Sequence, residues 1–176
     1  MAKSKYPVKP TIIIDTREKP DNALFQESDE GDKDVAAYRR EKVDAGDYTV
    51  ADFDNLVVIE KKQDGKELYG NLILNRETFL RSIDRMRKFR HKYILIQQSY
   101  REFLDQKNWR HIGRIPRRFQ AMATIESWLI NFSQTENIHF IFVDAKNAPR
   151  MAKRILLKSY EYERKRRMKA EKNDRT

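Results

Sequence analysis

The sequence predicts an α/β fold in which a mixed central β-sheet is flanked by helices. Three observations carry that prediction. Short apolar, β-branched runs recur at residues 11–15, 56–60, 93–96 and 138–143, each the length of a buried strand. Helical periodicity separates the later ones: Phe79, Ile83 and Met86, then Met122, Ile125, Leu129 and Phe132, recur at three- and four-residue spacing. Asp54-Asn55 is turn chemistry, joining strands at 43–50 and 56–60 into a hairpin. Alternating strands and helices give parallel neighbours with helices on both faces, and the hairpin makes the sheet mixed.

In chain order, residues 1–10 read as a basic arm. Thr11–Asp15 is a buried strand that ends in an acid. Residues 19–37 are polar and acidic, contain Pro20 and Gly31, and read as a loop around at most a short helix. Val43–Val50 is a strand broken at Gly46, and Leu56–Glu60 is its hairpin partner. The helix carrying Phe79, Ile83 and Met86 has a basic outer face of Arg81, Arg85, Arg87 and Lys88. Tyr93–Ile96 is the next strand. Pro116 precedes the second helix, and Ile138–Val143 forms the last strand. Asn147 and Pro149 read as an N-cap and an early-turn proline opening a third helix through Met151 and Ile155. From Glu163 to Lys172 almost every residue is charged, so this stretch is expected to leave the core as a solvated tail. The domain plan is an arm at 1–10, one domain at 11–160 and a tail at 161–176.

Composition narrows the function. The 176 residues hold 37 Lys+Arg against 27 Asp+Glu, a net +10. Nine Phe, eight Tyr and two Trp are too many for a disordered chain. No apolar run approaches the roughly 18–20 residues of a membrane span, and no apolar segment follows the basic N-terminus as a secretory signal requires, so an intracellular, cytoplasmic location is expected. The absence of Cys excludes disulfides, Cys-based zinc sites and a thiol nucleophile. His91, His111 and His139 are too widely spaced to suggest a His-rich metal site. The five glycines form neither a dinucleotide fingerprint nor a Walker loop.

Charge is segregated. Residues 15–60 hold 6 basic against 14 acidic side chains, residues 61–145 hold 16 against 9, and residues 146–176 hold 12 against 4. Basic segments suit a polyanion, and a carboxylate block suits a hard divalent cation. Within that block Asp15, Asp47 and Glu60 lie at or beside strand ends, where unpaired acids are costly. Hard oxygen ligands suit Mg²⁺ or Mn²⁺. Lys62, two residues beyond Glu60, shares its face of the strand, placed to act on an attacking water or on the phosphate. An acid followed by Glu-x-Lys at the end of a hairpin is the general pattern of metal-dependent nucleases of restriction-endonuclease type.

The motifs around these acids resemble a family. Ile14-Asp15-Thr16-Arg17-Glu18 resembles the V-D-x-R-E opening of the XPF-type structure-specific endonuclease domain, Gly46-Asp47-Tyr48 its G-D-Y, and Val58-Ile59-Glu60-Lys61-Lys62 its V-E-R-K. Tyr93–Ile96 matches its next strand, and the motifs fall in family order over roughly residues 11–145. Two departures stand out: Lys61 replaces the family's Arg, and Glu67 matches a family acid only across a one-residue insertion. Leu68-Tyr69-Gly70-Asn71-Leu72 then resembles the family's L-I-G-S-L.

The resemblance implies a restriction-endonuclease-like core and a Mg²⁺- or Mn²⁺-dependent DNA endonuclease acting on flap, fork or branched DNA. Asp15, Glu18, Asp47, Glu60 and Lys62 would be catalytic, with Asp47, Glu60 and Asp15 holding the metal. Glu18 has the alternative of only holding Arg17. Arg17, Lys61, Arg76 and Arg81 would contact DNA; Arg17 has the alternative of neutralising the acids, and Lys61 of a structural role. The family's homodimer is expected, through the apolar faces of the helices after Pro116, with a partner protein as an alternative source of substrate choice. The helix-hairpin-helix module of cellular members has no room in this chain, which suggests a viral or mobile-element version. The competing functions are a junction resolvase or duplex nuclease with the same site, and a non-catalytic DNA-binding scaffold.

Overall fold

The computed structural model describes residues 8–29, 31–112 and 115–173. Most of the basic arm, residues 30, 113 and 114, and the last three residues lie outside it. The core is a six-stranded mixed sheet: β1 (Thr11–Asp15), β2 (Ala37–Glu41), β3 (Tyr48–Val50), β4 (Val57–Lys62), β5 (His91–Ile96) and β6 (Ile138–Phe142), in the order β2-β1-β3-β4-β5-β6. β3 is antiparallel to both β1 and β4, while β2, β5 and β6 pair in parallel with β1, β4 and β5. The predicted hairpin is present, and its turn residue Asn55 takes φ 53°.

Helices cover both faces. On one lie α1 (Gly65–Tyr69), a π-type turn (Gly70–Leu74), α2 (Arg76–Met86), α3 (Tyr100–Leu104) and α4 (Ile115–Thr135). The predicted stripes Phe79/Ile83/Met86 and Met122/Ile125/Leu129/Phe132 are buried here with Val58, Ile94 and Ile96. On the other face α5 (Ala148–Asn173) packs Ala152, Ile155, Leu156 and Tyr160 against Ile12, Ile14, Val57, Ile59 and Leu95. Alternation along a strand sends successive side chains to opposite faces, so the Val58 side also takes Glu60 and Lys62.

Four expectations need correction. The sequence pattern ends its loop at residue 37 and assigns no element to 38–42, where β2 lies: its sequence AYRRE buries only Tyr38, because an edge strand needs no apolar stripe. β3 begins at Tyr48, since Gly46 at φ +70° breaks the extended backbone before it. The cap before α5 is Asp144, whose carboxylate accepts from the Asn147 amide at 3.1 Å. The charged tail is helical to Asn173 and begins anchored, with Glu163 3% exposed, while residues 165–173 are solvent-exposed as expected.

Candidate active site

Asp47 is fixed by its backbone between two strands. Its amide donates to the Ile59 carbonyl at 2.8 Å, and its carbonyl accepts from the Asp15 amide at 2.8 Å. Gly46 makes this approach possible. A Cβ there would stand 2.3 Å from Val58 Cγ2 and 2.9 Å from the Ile59 carbonyl oxygen, and the left-handed φ suits only glycine. The Asp47 Oδ2 then accepts from the Lys61 amide at 2.7 Å, beside Glu60. Burial, and next the charge of Glu60, push the Asp47 carboxyl up to about 8, against the pull of the Lys61 amide.

Lys62 Nζ lies 2.7 Å from Glu60 Oε1 and 3.4 Å from Glu67 Oε1. Burial opposes its charge, but the charge and hydrogen bond of Glu60, then Glu67 and Asp47, outweigh it and raise the pKa. Glu67 reaches this point because the Asp64 side chain caps α1, accepting from the Glu67 amide at 2.8 Å, while Glu67 Oε2 accepts from the Gln63 amide at 2.7 Å. Glu67 thus stands in the same cluster as Glu60 and Lys62.

Asp15 and Glu18 are differently employed. Asp15 is 1% exposed, and both its oxygens are engaged: Oδ1 by the Arg17 amide (2.7 Å) and Nε (2.8 Å), Oδ2 by Arg17 Nη2 (2.8 Å) and the Val43 amide (3.0 Å). Burial pushes its carboxyl up, but the hydrogen bonds from Arg17 and Val43 hold it below the ordinary Asp value. The Glu18 carboxylate is paired not with Arg17 but with Lys61 Nζ, which also donates to the Asn22 carbonyl. Lys61 lies on the opposite strand face from Lys62, as the alternation predicted, and straps the loop after β1 to β4. The Glu18 carbonyl accepts from Arg40 Nη2. Arg40 went unnoticed in the sequence because β2 did.

Arg17, Glu18, Asp47, Glu60, Lys61, Lys62, Glu67 and Gln97 line one cleft of about 560 Å³ at the carboxyl ends of β4 and β5, with Pro149 of α5 at its rim. Asp15 supports it from beneath. Arg76 and Arg81 do not line it: Arg76 lies over the Trp128 ring at 4.5 Å, and Arg81 Nη2 donates to Thr78 Oγ1 at 3.0 Å. Among the described residues no three acidic or imidazole side chains gather as a ready metal cage. The donors present fit a hard divalent cation nonetheless. Asp47 and Glu60 are neighbouring carboxylates in an open cleft where water and phosphate oxygens can complete the coordination.

No family model and no curated protein sequence matches the chain. Solved structures that share its fold include XPF from Aeropyrum pernix, with a TM-score of 0.52 over 82% of this chain, and the same protein in complex with DNA, at 0.53 over 85%. Each is 15% identical, and this chain spans 64% of that protein's length in both. The architecture around the cleft, a mixed six-stranded sheet flanked by helices, is therefore that of the XPF nuclease fold.

Proposed function

We propose that this chain is a divalent-metal-dependent DNA endonuclease that hydrolyses phosphodiester bonds, preferentially in flap, fork or branched DNA. The observation that carries the reading is that Asp47, Glu60 and Lys62 line a single cleft, Glu60 and Lys62 from one face of β4. Asp47 and Glu60 are the side chains that would hold Mg²⁺ or Mn²⁺, which when bound supplies Lewis-acid polarisation of the phosphate. Lys62, kept as an ammonium by Glu60 and Glu67, answers the negative charge carried by the phosphoryl oxygens as water attacks phosphorus in line. Its raised pKa favours this electrostatic role over that of a base. Arg17, 60% exposed on the lining of the cleft, is placed to hold a flanking phosphate, while Lys61 is engaged by Glu18 and the Asn22 carbonyl. Asp15 acts by fixing Arg17, and Glu18 by fixing Lys61. The DNA-bound state of the XPF neighbour supports nucleic acid as the substrate class.

A homodimer suits the surface. Phe119 and Ile130 of α4 are 54% and 59% exposed and, eleven residues apart, share one helix face. A second subunit would present a second duplex arm. The test is incubation with end-labelled duplex, flap, fork and junction DNA, with Mn²⁺, with Mg²⁺ and with EDTA. Cleavage of branched substrates only when metal is present supports the reading. Cleavage in excess chelator, or binding without cleavage under every metal condition, contradicts it.

A further inference from the structure

We infer that the chain holds a second binding site for the DNA backbone at the opposite end of the sheet from the cleft, built by Arg90, Arg166 and Arg167 around Glu163. The inference rests on the DNA reading above and extends its footprint. Glu163, 3% exposed on α5, accepts from Arg166 Nε and Nη2 at 2.9 and 2.7 Å, from Arg167 Nε at 3.1 Å and from Arg90 Nη1. Three guanidinium groups thus share one carboxylate, leaving a local excess of positive charge. Each guanidinium carries five N–H donors in a fixed fork, so donors remain beyond those engaged. The three side chains are 44%, 49% and 55% exposed, so the cluster is open to a ligand although its anchor is buried. Arg167 is further fixed 4.5 Å over the Phe53 ring. Rigid, solvent-facing Arg forks match phosphate oxygens and lose little entropy on binding them.

The position argues for an extended polyanion. α5 borders the catalytic cleft at Pro149 and this second cleft, about 420 Å³, at Arg166 and Arg167. Seventeen residues at 1.5 Å rise give a separation of about 26 Å, or about 8 base pairs at 3.4 Å each. Between the two ends, the exposed side of α5 presents Arg150, Arg154, Lys158 and Lys165, the last two sharing Glu161 at 2.7 Å each. Basic side chains thus occur along the whole length of α5 between the two clefts.

The experiment compares the whole chain with R166Q/R167Q, and with R166Q/R167Q/E163Q, in which no buried carboxylate loses its partners. Binding is measured in EDTA to a 20-base-pair duplex and to a hairpin with a 6-base-pair stem, too short to span both clefts. Both variants should bind the long duplex at least about five-fold more weakly, with the salt slope reduced by about 1.8 for two lost phosphate contacts, and bind the short hairpin as the unmodified chain does. Unchanged affinity for the long duplex, or equal loss on both lengths, overturns the inference. If the unmodified chain cleaves and binds DNA and the variants match it, only the second site fails; if it binds neither DNA, the nuclease reading fails with it.

Discussion

Lys62 Nζ sits 2.7 Å from Glu60 Oε1, two positions earlier on the same strand. The two-residue period of a strand brings them to one face, and Glu67 at 3.4 Å completes the ammonium's surroundings. Lys61, between them, points to the other face and serves Glu18. Lys62→Ala should therefore lower the rate of cleavage by about a hundred-fold or more, with DNA affinity nearly kept. Lys61→Ala leaves the half-hidden Glu18 without its cation, so it should loosen the loop after β1 and raise KM more than it lowers kcat. Steady-state kinetics on one labelled flap substrate distinguish the two; equal losses of kcat would contradict the division of labour.

Asp15 is buried with both oxygens occupied, which makes it a structural acid on this account. Asp15→Asn should cost about 3 kcal/mol of stability, since Arg17 and Val43 lose a charged acceptor. Urea unfolding measures it. Its folded carboxyl is held below the unfolded value, so its contribution is present above the ordinary Asp range and is lost as pH falls through and below that range. The acid-unfolding curves of the unmodified protein and Asp15→Asn should accordingly converge as pH drops.

Gly46 sets the site by what it lacks. Gly46→Ala forces a methyl into Val58 and the Ile59 carbonyl at a positive φ, which should cost about 3 kcal/mol and displace Asp47. A melting temperature unchanged by this substitution would show that the strand contact is looser than described.

How far the site was legible in the sequence follows from the physics of each element. Apolar strands and stripes were readable because burial demands a fixed period: Ile12, Ile14, Val57 and Ile59 on one side, Phe79 and Ile83 on the other. Asp47, Glu60 and Lys62 were readable because the two-residue period and the hairpin place them together. β2 was not, since one buried tyrosine leaves no pattern. The start of the tail has no solvation signature of its own: charge density normally means exposure, and Glu163 is buried because Arg90, 73 positions earlier in sequence, joins Arg166 and Arg167 around it. The engagement of Asp15 by Val43 spans 28 positions and has no local signature.

Adjacent carboxylates predict a metal effect on folding as well as on activity. Asp47 and Glu60 repel in the metal-free protein, so Mn²⁺ or Mg²⁺ should raise the melting temperature, by an amount that grows with concentration. Asp47→Asn should be at least as stable as the unmodified protein in EDTA and should lose most of the metal-induced rise. Differential scanning fluorimetry with and without metal reads both.

The central claim is that Asp47 and Glu60 perform chemistry while other groups bind DNA. Its most direct test is single-turnover cleavage of a labelled fork in Mn²⁺ by Asp47→Asn and Glu60→Gln, alongside their affinity for the same fork. The account predicts a loss of about a hundred-fold or more in rate for each, with affinity unchanged or slightly tighter because a negative charge has left the cleft. Cleavage by the double variant at the unmodified rate would contradict it and place the chemistry elsewhere.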